Sequence, residues 1–273
     1  MTGLPQKVAD DDEAHIEASR APLLDHLIEL RQRLIWSLIA FAVSFVFCYF
    51  FSARIYEVLN HPLAEALAGQ PNRKMIYTGL PEAFFTYVKV AAFGAICISF
   101  PVLATQIYLF VAPGLYRNER RAFLPFLLAT PLLFVLGAMT VYFVMMPFIV
   151  DFFLSFETPG APGSVPIQLE ARISEYLNFV MSLIISFGVC FQMPVLLTLL
   201  GRVGLLSSDY LRRNRRYAIV IVSIVAAILT PADALSMISL MIPLLALYEV
   251  SVWCVVLVEK RREQARAEAG SSV

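Results

Sequence analysis

The sequence predicts an all-α polytopic membrane protein with six transmembrane helices, both termini cytoplasmic, and a short fifth and sixth span. Three observations lead there. Hydrophobic residues make up 59% of the 273 residues and charged residues only 15%, far from the balance of a soluble domain. Six apolar runs approach the length needed to cross about 30 Å of hydrocarbon at about 1.5 Å per residue. The basic residues are unevenly shared between loops, sixteen on one side and four on the other, and the positive-inside rule places the crowded side in the cytoplasm.

Residues 1–22 are polar and acid-rich, with DDDE at 10–13. They carry neither an apolar core nor a small-residue cleavage site, so they read as a disordered cytoplasmic tail and not a removable leader. The membrane domain then occupies residues 23–260, and residues 261–273 form a second cytoplasmic tail. The spans are expected at 34–51, 90–112, within 122–150, within 176–200, and as a hairpin of 217–230 and 234–258 turning at TPAD. The fifth is bounded by Arg216 and Asp233, about 25 Å apart along a helix, so its ends must snorkel or the bilayer must thin. Antiparallel pairing then brings Glu249 to the depth of Arg215 and Arg216, and an interfacial ion pair or a water-exposed cluster is expected there.

Between the first two spans, Ile55, Val58, Leu59, Leu63 and Leu67 recur at near-helical spacing, which fits either a helix lying on the outer membrane surface or a packed loop cap. ETPGAPGSVP at 157–166 reads as an irregular external loop. Cys48, Cys97, Cys190 and Cys254 lie singly in apolar runs and the three histidines are scattered. No metal site, disulfide framework, catalytic motif, cofactor or nucleic-acid surface is expected.

The polar residues near or within the spans are the candidates for function. Glu29 in HLIELRQRL stands just before the first span, among arginines that include Arg31. It reads either as the i, i+4 partner of Arg33 or as an acceptor for a guanidinium arriving from the cytoplasm, where a bidentate carboxylate distinguishes Arg from Lys. Glu119 in APGLYRNERR offers a second such acid or a partner for Arg120 or Arg121. Gln192 in FQMPV, two residues before Pro194, either serves carbonyls freed by the proline or reaches a neighbouring helix.

Taken in order, HLIELRQRL, APGLYRNERR, FQMPV and LTPAD resemble the TatC family, the receptor subunit of the twin-arginine protein translocase, over roughly residues 22–260. The resemblance implies no enzyme but a multi-pass protein of a prokaryotic inner membrane that recognises the paired arginines of folded cargo. It also implies work with TatA- and TatB-type single-span partners, self-association in a multimeric complex, and export driven by the proton gradient. The family's signal-binding positions fall on Glu29, Glu119, Arg31 and Phe110, and its other marked positions on Pro62, Gln192 and Asp233, read here as partner-helix contacts. Some relatives carry Glu where this chain has Gln192, which counts against a mechanism needing an ionised group there. The alternative class is a secondary transporter of a small solute, which would need a polar midplane site and repeat symmetry that the spans do not display.

Overall fold

The computed structural model describes residues 5–68, 74–111, 120–158, 165, 167–229 and 234–270. Among these the chain is helical, apart from two isolated bridges that pair Ile76 with Arg172 and Thr158 with Ile167. Helix α1 (Pro5–Phe50) carries the first span and turns at Phe51 into α2 (Ser52–Ala66). Helix α3 (Glu82–Val111) returns, and α4 (Arg120–Thr140) crosses again through a π-helical turn at Val141–Met145 into α5 (Met146–Leu154). Pro147 stands just past the wide turn and withholds the N–H that Phe143 would accept. Helices α6 (Ile173–Cys190) and α7 (Met193–Val203) make the fourth crossing, bent at Phe191 and Gln192 before Pro194. A short α8 (Ser208–Arg213) leads to α9 (Arg215–Leu229) and α10 (Ala234–Gly270).

Among the described residues five stretches are long and apolar enough to cross a membrane: Leu27–Phe50, Glu82–Phe110, Phe126–Leu154, Ile173–Arg202 and Met237–Arg261. The expected fifth span corresponds to α9, whose 15 residues reach about 22 Å. Its partner is not short: the apolar stretch Met237–Arg261 of α10 has 25 residues, and this corrects the expected short sixth span. The two are antiparallel. Arg215 meets Glu249, while Ser223, further along α9, meets Met241, further back along α10.

The backbone of α1 is helical from Pro5, where a disordered tail was expected, and that of α10 is helical to Gly270. The physical reason is composition: Ala, Glu, Leu and Arg are strong helix formers that outweigh the acidic run and extend both helices beyond the bilayer. The TPAD turn, with Asp233, lies outside the described residues.

Helix α1 lies along α3, α4 along α6, and α7 along α10. Their common core contains Val90, Val141, Met146, Leu177, Val180, Phe187, Leu240 and Leu244, whereas Trp36, Phe47, Ile242 and Trp253 point outward as lipid-facing groups. Close approach depends on glycine at two places. A Cβ on Gly188 would stand 2.6 Å from Cδ2 of Phe134, and one on Gly137 would stand 2.9 Å from the Phe187 carbonyl oxygen.

Candidate functional site: two faces of the bundle

One face, the entry face, is where the α1 span begins and α3 ends; the opposite face carries α2. On α1, Cys48 packs at Gly94 of α3, since a Cβ there would lie 3.0 Å from its sulfur. Glu29 lies nineteen residues before Cys48, roughly 28 Å along the helix. The same number of residues beyond Gly94 reaches position 113, so Glu29 and Phe110 lie at about the same depth, at the mouth where α3 ends.

At that mouth Arg33 embraces Glu29. Its Nε donates to Oε1 at 3.1 Å and its Nη2 donates to the same oxygen. The Glu29 side chain keeps about a third of its exposure, and Oε2 takes no part in these bonds. Arg31 is exposed on the same helix. Phe110 is half-buried at the end of α3. Glu119 lies outside the described residues.

The carboxylates deeper in the protein are fixed far more firmly. At the opposite face Glu82 caps its own helix, accepting from the backbone N–H groups of Thr78 at 2.9 Å and Gly79 at 3.2 Å. It also accepts from the Ser174 hydroxyl at 2.5 Å and the Arg172 Nε at 3.1 Å, with its side chain only 9% exposed. Hydrogen bonding to Glu82, and then the charge of that carboxylate, raise the pKa of Arg172 above its ordinary range. This clamp joins the strand-like Ile76–Arg172 contact and ties the connection before α3 to the one before α6. Sequence reasoning missed it, although GLPEAF carried the signal of an acid in the first turn of a helix.

Helix α2 packs on the bundle through its buried Leu59, Pro62 and Leu63. Pro62 has no N–H for the carbonyl of Val58, one turn back. The Tyr142 hydroxyl supplies that bond at 2.8 Å, and the Tyr176 hydroxyl donates to the Leu59 carbonyl at 3.1 Å.

Gln192 sits at the bend between α6 and α7. Its Nε2 donates to the Thr130 carbonyl of α4 at 3.0 Å and to the Gly188 carbonyl at 3.3 Å. The backbone N–H of Gln192 is directed instead to Val189 at 3.0 Å, so the side chain serves a carbonyl that the bend has freed. Its Oε1 is buried without a partner. The expected ion pair between α9 and α10 forms at 2.7 Å between Arg215 and Glu249. Among the described residues no group of three or more His, Cys, Asp or Glu side chains is placed to hold a metal.

A family model described as "Sec-independent protein translocase protein (TatC)" matches residues 25–243. The Sec-independent protein translocase protein TatC of Rickettsia prowazekii is 48% identical over 228 residues, covering 84% of this chain and 90% of its own. That of Escherichia coli K12 is 37% identical over 232 residues, with 85% and 87% covered. A crystal structure of the twin arginine translocase receptor TatC superposes with a TM-score of 0.73 at 34% identity, covering 86% of this chain and 99% of that one.

Proposed function

The chain belongs to the TatC family of Sec-independent protein translocase proteins, and on that footing we propose that it captures twin-arginine signal peptides through Glu29 and Glu119. It is a multi-pass component of the translocase. In the proposed orientation the entry face is cytoplasmic, six spans cross the inner membrane, and Arg31 and Phe110 flank the captured arginines.

One observation carries the reading. Among the carboxylates near the spans, Glu82 is locked by five donors from four residues. Glu29 is held by one side chain four residues along its own helix, and such a pair is worth about 0.3–0.5 kcal/mol. An incoming guanidinium can displace Arg33 at small cost and gain a bidentate, charge-assisted contact. Arg31 and Arg33 keep the patch from attracting every cation, so geometry more than net charge selects the ligand.

TatA- and TatB-type single-span proteins and further copies of this chain are the proposed partners, with Gln192, Pro62 and Asp233 as contact positions. Gln192 acts by fixing the bend that a partner helix meets, its Nε2 bonded to α4 and its unpartnered Oε1 buried. Pro62 acts by shaping α2, whose backbone is held by two tyrosines. The solute-transporter alternative gains nothing, because the Gln192 amide N–H groups are spent on backbone carbonyls.

Photocrosslinking from positions 29, 110 and 119 tests the receptor role. Each position should capture an RR-bearing signal peptide and lose it when the pair becomes KK; equal capture of both peptides counts against selective recognition.

A further inference from the structure

We propose that the elbow joining α8 to α9 is a binding site for an anionic phospholipid, whose phosphate is gripped by guanidiniums of Arg212, Arg213 and Arg216. The sequence there is RRNRR, and all four arginines are exposed. Arg215 spends its charge on Glu249. Arg216 stacks over the Tyr217 ring at 5.0 Å and its Nη2 donates to that hydroxyl at 3.4 Å, contacts that neutralise nothing. Among the described residues Arg212, Arg213 and Arg216 form no ion pair, nor does Asp209, which stands one turn before them.

The elbow is rigid, so the guanidiniums project from a fixed frame. Ser207 caps α8 by accepting from the Tyr210 N–H at 3.2 Å, and Glu259 of α10 accepts from the Ser208 N–H at 2.9 Å. Tyr248 of α10 donates to the Leu211 carbonyl at 2.8 Å. Asn214 closes the bend by donating to the Tyr210 carbonyl at 3.0 Å.

Depth makes the site unusual. Glu249, and Arg215 with it, lies eleven residues before Lys260 on α10, about 16 Å along the helix axis. Over that interval α10 still presents apolar groups, with Trp253 68% and Leu257 59% exposed. The elbow's cations therefore lie beside hydrocarbon-facing surface, at the start of a helix spanning only about 22 Å, and Glu249 and Asp209 leave the four guanidiniums in excess. A lipid phosphate drawn into this notch supplies the missing anion, while its acyl chains cover Trp253 and the exposed Val220 and Ile221 of α9. A free phosphate would leave that apolar wall uncovered. The inference is independent of the proposed signal recognition.

The chain carries its own reporter. Of its two tryptophans, Trp253 lies one turn beyond Glu249 on the same face of α10, so Trp36→Phe leaves a single fluorophore beside the elbow. In nanodiscs, brominated phosphatidylglycerol should quench Trp253 at least about fivefold more effectively than brominated phosphatidylcholine at equal mole fraction, the factor expected from one guanidinium near a membrane surface. The triple change R212Q/R213Q/R216Q should bring the ratio close to one, and millimolar inorganic phosphate should leave it unchanged. A ratio of one in the parent, an undiminished ratio in the variant, or displacement of the lipid by phosphate would each overturn the proposal. If the triple variant does not assemble, salt decides on the parent: a preference that does not fall as ionic strength rises is not a phosphate contact.

Discussion

Replacing Glu29 and Arg33 singly and together separates the receptor role of Glu29 from a purely helical one. Glu29→Gln keeps the volume and removes the charge. A charge-assisted hydrogen bond contributes about 1.5–3 kcal/mol, so an RR signal peptide should bind about 10- to 150-fold more weakly. Arg33→Gln acts in the other direction. It releases the carboxylate from a pair worth about 0.3–0.5 kcal/mol, which should tighten binding about twofold. Arg31 is exposed and makes no ion pair among the described residues, so Arg31→Gln removes the same formal charge without freeing Glu29 and reports the general field alone.

The assay is fluorescence anisotropy of a labelled signal peptide titrated with the detergent-solubilised or nanodisc-embedded protein, with the KK peptide as control. In the Glu29→Gln background, Arg33→Gln should have no more effect than Arg31→Gln, because no carboxylate is left to release. If Arg33→Gln instead weakens binding as much as Glu29→Gln while Arg31→Gln is silent, the pair is a structural element of α1, and Glu29 is not the acceptor. Preference for RR over KK should fall with Glu29→Gln, since a bidentate carboxylate is what separates a planar guanidinium from an ammonium.

The packing sets the outcome of four further substitutions. Tyr142→Phe leaves the Val58 carbonyl beside Pro62 without its donor and should cost about 0.5–1.5 kcal/mol, read as a lower thermal midpoint; Tyr142→Phe in a Pro62→Ala background should cost much less, because α2 then satisfies itself. Gly188→Ala forces a methyl against the buried ring of Phe134, which is itself stacked on Phe100 at 4.0 Å between centroids, and should cost about 1–3 kcal/mol. Gly94→Ala meets the Ile55 methyl and the Cys48 sulfur, both movable chain ends, and should cost less than Gly188→Ala by the same thermal measurement. Glu82→Gln places an N–H where five donors converge and should lower the thermal midpoint more than Glu57→Gln, whose partner Arg54 is exposed; equal shifts would show that the clamp does not hold the opposite face together.

How much of this was legible depends on how far along the chain each cause acts. Local causes were plain. Apolar runs bounded by charge placed the helices, Pro194 announced the bend at Gln192, and the antiparallel hairpin placed Glu249 beside Arg215, where a 2.7 Å ion pair forms. Contacts across long separations were not. Nothing near Pro62 in sequence says that Tyr142 and Tyr176 will supply the hydrogen bonds its helix lacks, and nothing near Glu82 names Arg172. The first 22 residues read as disordered from their acidity and lack of an apolar core, whereas helix propensity extends α1 back to Pro5. At the candidate site, Glu29 and Phe110 come to one depth because α1 and α3 pack antiparallel, as alternating spans require, whereas Glu119 and Asp233 lie outside the described residues.

The residue at the bend shows why amide and carboxylate are not equivalent inside the bundle. Gln192 gives N–H bonds to the Thr130 and Gly188 carbonyls, one on another helix and one freed by the bend. An ionised Glu has no N–H to give, so it would leave both carbonyls short of a donor and add a desolvated charge; a protonated Glu could serve only one of them. The amide therefore stabilises the bend without a proton, and its buried Oε1 remains an acceptor. On this argument the side chain serves the bend of this chain by neutral hydrogen bonding, with no ionised group at that position.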